Sequence, residues 1–240
     1  VAELDARLAV VGNGRLGNAL IAALPGAQGP FGRGFDGVDA DGTTFDIVLL
    51  AVPDAQIGAA AAVVRRGPMV GHCSGATGLE VLAPHESFGL HPLMTITREG
   101  AVFTGCGAAI AGSTDAALRV ATALAERLGM QPVHIAGTDR VAYHAAASIA
   151  SNFLVTLEDA AETLLATTGA PRSLLVPLVR ATVENWAALG GSDALTGPIA
   201  RGDEAVVARH REALAARTPE LLPLFDELCI RTRALAARDR

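Results

Sequence analysis

The segment Gly12-Asn13-Gly14-Arg15-Leu16-Gly17 constrains the fold more than any other part of the chain. Before it stands Arg7-Leu-Ala-Val-Val-Gly12, a short apolar run that predicts a strand buried on both faces. After it, residues 15–24 predict an apolar helix stopped by Pro25 and Gly26. In that setting Gly12 permits a tight turn and Gly14 lets the backbone approach a pyrophosphate. Gly17 lets the helix pack closely on the strand. The helix N-terminus adds free N–H groups and a partial positive charge, both of which favour an anion. The expected ligand is a dinucleotide touching Gly12, Asn13, Gly14, Arg15, Leu16 and Gly17. A glycine-rich turn that serves only the fold is the competing reading.

The rest of the first half continues the alternation. Strands are expected at 27–31, 46–52, 68–72, 87–91, 107–111 and 131–135, and helices at 54–66 and 114–128. Alternation of this kind implies an α/β, doubly wound, mostly parallel sheet with helices on both faces. The pattern changes near residue 137. Beyond it helices are expected at 139–168, 171–189, 198–216 and 219–237, punctuated by Gly169, Gly190-Gly191 and Thr218-Pro219. The expected division is a dinucleotide-binding domain over 1–136 and an all-helical substrate and dimerisation domain over 137–240.

Composition excludes several functions. All 19 basic residues are arginines, because lysine is absent, so no side-chain amine exists for Schiff-base chemistry. The formal net charge is −6 and no basic run exceeds Arg65-Arg66, which argues against a nucleic-acid partner. Cys73, Cys106 and Cys229 are too far apart for a zinc or disulfide framework, and no metal is expected. The uncharged stretches 16–32 and 141–157 are broken by prolines or polar residues, so no membrane span is expected. The first residues lack the pattern of a secretory leader, and a cytoplasmic location is expected.

Ligands of such sheets bind at the carboxyl ends of the strands. Ala51-Val52-Pro53 ends the third expected strand and would line the cofactor path; Asp54 next to it reads equally well as a strand terminator. Arg33 follows the second strand, where a guanidinium clamps a 2′-phosphate, so NADP is expected; Asp36 keeps NAD possible. His72 and Ser74 leave the fourth strand, as candidates to line the cofactor, and His91-Pro92 leaves the fifth; the two histidines are candidates to face the nicotinamide, with a purely structural His72 as the alternative. The segment Tyr143-His144-Ala-Ala-Ala-Ser148-Ile-Ala-Ser-Asn152 puts His144, Ser148 and Asn152 at i, i+4 and i+8 of one helix face. His144 is the candidate acid/base group, and Ser148 and Asn152 would orient the substrate. A polar network pinning two helices together is the alternative. Arg201 in Leu195-Thr-Gly-Pro198-Ile-Ala-Arg201-Gly-Asp203 would hold a substrate carboxylate or pair with Asp203.

With these motifs in order over nearly the whole chain, the sequence resembles Rossmann-like oxidoreductases with a helical C-terminal domain of the 6-phosphogluconate-dehydrogenase type. The carriers are Gly12–Gly17, His72-Cys-Ser-Gly75, Gly89-Leu-His-Pro92, Tyr143-His-Ala-Ala146 with Asn152, and Leu195–Asp203. Related enzymes include ketopantoate and pyrroline-5-carboxylate reductases. Several of them carry a catalytic lysine four residues before an asparagine; Asn152 resembles that asparagine, and the lysine position falls on Ser148. The resemblance implies an NADP-dependent hydride transfer to or from a small carbonyl, imine or hydroxy acid, and a homodimer built through the helical domain. The missing lysine leaves a second reading: a non-catalytic NAD(P)-binding dimer that senses redox state.

Overall fold

A computed structural model describes residues 6–238; the first residues, read above for a leader, lie mostly outside them. Strand β1 (Leu8–Val11) is buried at every position. So is β3 (Ile47–Leu50). Both are the uninterrupted apolar runs that a sheet covered on two faces requires. Their side chains alternate between two cores. Leu8, Val10, Ile47 and Leu49 join Leu20 of α1 (Arg15–Ala23), Leu24 at the C-terminal cap of that helix, and Leu124 of α3 (Asp115–Arg127). Ala9, Val11, Val48 and Leu50 face Ile57, Ala60 and Ala61 of α2 (Ile57–Val63). Each fully buried aliphatic side chain contributes about 1.5–3 kcal/mol.

The sheet has seven strands in the order β2-β1-β3-β4-β5-β6-β7. The remaining strands are β2 (Gln28–Phe31), β4 (Met69–His72), β5 (Ser87–Leu93), β6 (Gly107–Gly112) and β7 (Gln131–His134). All neighbours are parallel except β5 and β6. The chain leaves β1 toward β2 on one side and returns to β3 on the other, which puts the topological switch beside the Gly12 turn.

Several elements differ from their expected extent, among them the helix expected over 198–216, which is two helices separated at Gly202; two other differences bear on the site. β5 runs through Pro92 to Leu93, so Pro92 is not an exit from the strand. Antiparallel pairing to β6 tolerates this, with His91 opposite Ala109 and Pro92 opposite Ala108. β4 ends at His72, opposite Gly89. His91 therefore stands two residues beyond the end of β4, at a step in the carboxyl edge. The expected helix 139–168 is also broken. It comprises α4 (Arg140–Ser148), a π-helical turn (Ile149–Phe153) and α5 (Leu154–Ala166).

The chain divides into two compact units between Ser151 and Asn152, so α4 belongs to the sheet-bearing unit. The second unit is helical. It contains α5, α6 (Leu175–Leu189), α7 (Pro198–Arg201), α8 (Glu204–Arg217) and α9 (Leu222–Ala236). Asp203 caps α8 by accepting from Val206 N at 3.2 Å. α8 and α9 are joined by ion pairs of Arg211 with Asp226 and Arg233 with Glu204. Among the described residues no helix is long and apolar enough to cross a membrane.

Candidate active site

The glycine turn has the geometry its three glycines require. Gly12 has φ +114°, and a Cβ there would lie 2.3 Å from the Ala51 carbonyl oxygen. A Cβ on Gly17 would lie 1.8 Å from the Gly12 oxygen. Neither position admits a side chain while the helix stays seated on the strand. Gly14 differs: among the described residues a Cβ there meets nothing within 4 Å. The space above the α1 N-terminus is open, as backbone N–H donors facing an anion need it to be. Asn18 secures the turn by donating from Nδ2 to the carbonyls of Asn13 and Gly14, both at 2.9 Å. Beside the turn lies a groove of about 850 Å³, lined in part by Asn13, Gly14, Arg15 and residues 97–102. Asn13 and Arg15 are exposed and Leu16 is half-buried.

Arg33 sits at the exposed apex of the turn after β2. Phe31 and Phe35 stack across that turn at 4.0 Å, and Phe45 packs edge-on to both. Among the described residues the guanidinium hydrogen-bonds a neutral partner, Gln56 Oε1, at 2.9 Å. Asp36 is engaged elsewhere, by an ion pair with Arg65 at 2.8 Å. Ala51 and Val52 are half-buried and Pro53 is exposed at the end of β3.

His72 is placed differently from its expected role against a cofactor. It is wholly buried, and both ring nitrogens are used locally. Nε2 donates to the Gly78 carbonyl and Nδ1 accepts from Ser74 N, each at 3.2 Å. Burial lowers its pKa, with Gly78 opposing and Arg140 assisting. A neutral ring in one tautomer is therefore fixed inside the loop that follows β4. Ser74 is also nearly buried. Its Oγ accepts from Ala76 N and Thr77 N and donates to Asp54 Oδ2 at 2.7 Å. His72 and Ser74 thus shape the loop, and Asp54, beyond its position as a strand terminator, anchors it.

That loop carries Gly75 to the side chains that could act on a substrate. A Cβ on Gly75 would stand 2.5 Å from His144 Cδ2 and 3.0 Å from His91 Cε1 and Nε2. The His91 and His144 rings meet edge to face at 5.8 Å. His91 Nδ1 lies 3.0 Å from the Tyr143 hydroxyl. Below them Arg140 is 1% exposed. It donates from one terminal nitrogen to the Ser74 carbonyl, and it lies against Gly89, where a Cβ would be 3.3 Å from Nη1. Its Nε and Nη1 have no hydrogen-bond partner among the described residues. Sequence reasoning missed Arg140. The usable signal was its place: the lone basic residue between Arg127 and Arg172, at i, i+3 and i+4 with Tyr143 and His144.

Burial holds His91 at a pKa of about 4, and repulsion from His144 and Arg140 pushes the same way. The native ring binds its proton more weakly than the ordinary 6.5, so the unfolded chain takes up more protons below that value. Stability is then full above pH 6.5 and falls as the pH drops toward 4. The expected loss is about 3 kcal/mol. Chemical denaturation from pH 7 to pH 4 checks this, and a His91→Gln variant should show a shallower decline. Cys73 takes no part: burial pushes its thiol up to about 12.

The other expected residues are Ser148, Asn152 and Arg201. Ser148 ends α4, half-buried. The π-helical turn adds an extra residue before Asn152, about 100° of phase, so the i, i+4, i+8 face does not extend to it. Asn152 is exposed and begins the second unit. Arg201 is exposed at the end of α7, and Asp203 is occupied as the α8 cap.

The sheet order, the glycine turn and the step at the carboxyl edge define a Rossmann-like unit followed by a helical unit. A Rossmann-like domain model matches residues 37–97. The chain belongs to the family described as domain of unknown function DUF2520, whose model matches residues 106–232. Solved structures share the fold at low identity. Protein TM1727 of Thermotoga maritima is 23% identical, with a TM-score of 0.80, over 97% of this chain and 99% of that one. BF3122 of Bacteroides fragilis is 21% identical, with a TM-score of 0.78, over 96% and 98%. Pyrroline carboxylate reductase of Plasmodium falciparum, solved with NADP bound, is 12% identical, with a TM-score of 0.60, over 97% and 99%. No match was found among curated proteins.

Proposed function

We propose that this protein is an NADP-dependent oxidoreductase acting on a small carbonyl, imine or hydroxy acid. The observation that carries this reading is the glycine turn, with two positions closed to any side chain and Gly14 open. The α1 N-terminus would hold the pyrophosphate through the backbone of Asn13, Gly14 and Arg15. Arg33 would hold the 2′-phosphate, since its present partner is neutral and Asp36 is already paired. The bound cofactor would supply or accept a hydride.

His91, Tyr143 and His144 stand at the end of β5, three strand spacings or about 14 Å from β1 along the edge. A dinucleotide lying along the strand ends would run toward them. His144 and His91 are the acid/base groups of this reading, with Ser148, one turn beyond His144 on α4, as an orienting group. The part up to residue 136 would bind the cofactor, and the helical part from 137 would serve substrate and a second copy of the chain. Trp186, Leu178 and Leu189 of α6 are each more than half exposed, which suits a homodimer contact.

A panel of 2-oxo acids, hydroxy acids and cyclic imines, followed by NADPH absorbance, tests the activity. His144→Ala is expected to lower turnover by about 10²–10⁴-fold while leaving NADPH affinity unchanged. Equal turnover would remove His144 from the chemistry. Tight NADPH binding with no turnover on any substrate would favour the redox sensor, the reading that Ser148 in place of lysine supports.

A further inference from the structure

We propose that Tyr143 makes His91 the proton donor of this site: its hydroxyl donates to Nδ1, the ring proton stays on Nε2 toward Gly75, and Arg140 is the cation that supports the phenolate left behind. The fate of the proton rests on the oxidoreductase reading. The direction of the hydrogen bond is a property of the resting protein.

The contact at 3.0 Å admits two directions, because a hydroxyl and an imidazole nitrogen can each give or accept. Arg140 decides between them. It lies one turn before Tyr143 and His144 on α4, fully buried, with Nε and Nη1 unpartnered among the described residues. An unpaired buried cation is costly, and its field favours negative charge on nearby atoms. A phenol that gains negative character on oxygen is the donor, not the acceptor. The same field disfavours a second cation on His91, as do His144 and His72; Asp54 opposes them. Arg140 in turn is felt by the phenol: burial raises the Tyr143 pKa, and the guanidinium offsets part of that rise. Glu80 and Asp54 act on Arg140 from outside this pair.

With Nδ1 accepting, the donor left to His91 is Nε2–H. That atom lies 3.0 Å from where a Gly75 Cβ would be. Gly75 therefore leaves it a donor direction that any larger residue would close. In the reduction, the substrate carbon of C=O or C=N gains the hydride. The electron pair of the double bond moves to oxygen or nitrogen, which takes the Nε2 proton. Nδ1 takes the Tyr143 proton, so the imidazole ends neutral. The negative charge rests on the phenolate oxygen beside Arg140 until solvent returns a proton. Tyr143 is thus a positioning residue that acts through His91.

The test is ¹⁵N NMR of the histidine rings in the full chain, with His91 assigned by its Gln variant. The expected result is a neutral His91 in the Nε2–H form across neutral pH. Tyr143→Phe, which keeps the ring, should lose that single-tautomer signature. Arg140→Met should weaken it and Arg140→Lys retain it; if the methionine variant does not fold, Tyr143→Phe alone decides. A proton on Nδ1 in the native chain, or an unchanged tautomer in Tyr143→Phe, overturns the proposal. NADPH titration of the same samples separates the two claims. A Nε2–H signature lost in Tyr143→Phe, without NADPH binding, would uphold the tautomer lock and remove the oxidoreductase reading.

Discussion

Replacing Gly17 by alanine is expected to destabilise the protein by about 3 kcal/mol and to weaken NADPH binding at least tenfold. The added Cβ would lie 1.8 Å from the Gly12 carbonyl oxygen, a backbone atom with no rotamer to yield. Helix α1 must then lift from β1, at the usual overpacking cost of about 1–3 kcal/mol or somewhat more. For a chain of this length that lowers the melting temperature by roughly 6–12 °C. Lifting the helix also moves the N–H donors proposed to hold the pyrophosphate. Gly14→Ala separates the two effects. Its Cβ meets no described atom within 4 Å, so stability should change by less than about 0.5 kcal/mol. NADPH affinity should still fall, because the methyl group would occupy the space proposed for the phosphates. Thermal melts and calorimetric titrations of both variants check the pair. Equal NADPH affinity in Gly14→Ala would mean that the open space serves no ligand.

Gly75→Ala is expected to lower turnover by about 100-fold with little change in cofactor affinity. Its Cβ would sit 2.5 Å from His144 and 3.0 Å from His91, so both rings must move. Side chains can rotate where backbone cannot, and the fold should survive. A displacement near 1 Å at the reacting groups costs on the order of 10²-fold. Steady-state kinetics with NADPH binding measured alongside gives the answer. A Gly75→Ala protein with native turnover would show that His91 and His144 are not where the chemistry happens.

Much of the architecture was legible because its signals are local. The apolar runs around Leu8–Val11 and Ile47–Leu50 can only be strands buried on both faces. Gly12 and Gly17 were legible for a similar reason: their packing depends on neighbours within a few residues or on the adjoining strand. The site was less so. His91 was visible as a polar residue at the carboxyl edge and His144 as one on a helix face, but what joins them is Gly75, a residue with no side chain to notice. Arg140 stays hidden in a sequence because burying an arginine is the exception, and only tertiary packing against Gly89 and Ser74 shows it. His72 read as a candidate from its place after β4, yet Gly78 and Ser74 occupy both its nitrogens, a local loop closure that spacing does not reveal. The face shared by His144, Ser148 and Asn152 assumed an unbroken α-helix, and the π-helical turn at Ile149–Phe153 leaves no mark in composition.

We propose that the glycine turn and Arg33 together recognise NADP. Calorimetric titration of the full chain with NADPH, and separately with NADH, tests it most directly. Micromolar NADPH binding is expected, with NADH at least about tenfold weaker, or ~1.4 kcal/mol. Arg33→Ala should erase that preference without abolishing NADH binding. No binding of either dinucleotide would contradict the account and leave the turn as scaffold alone.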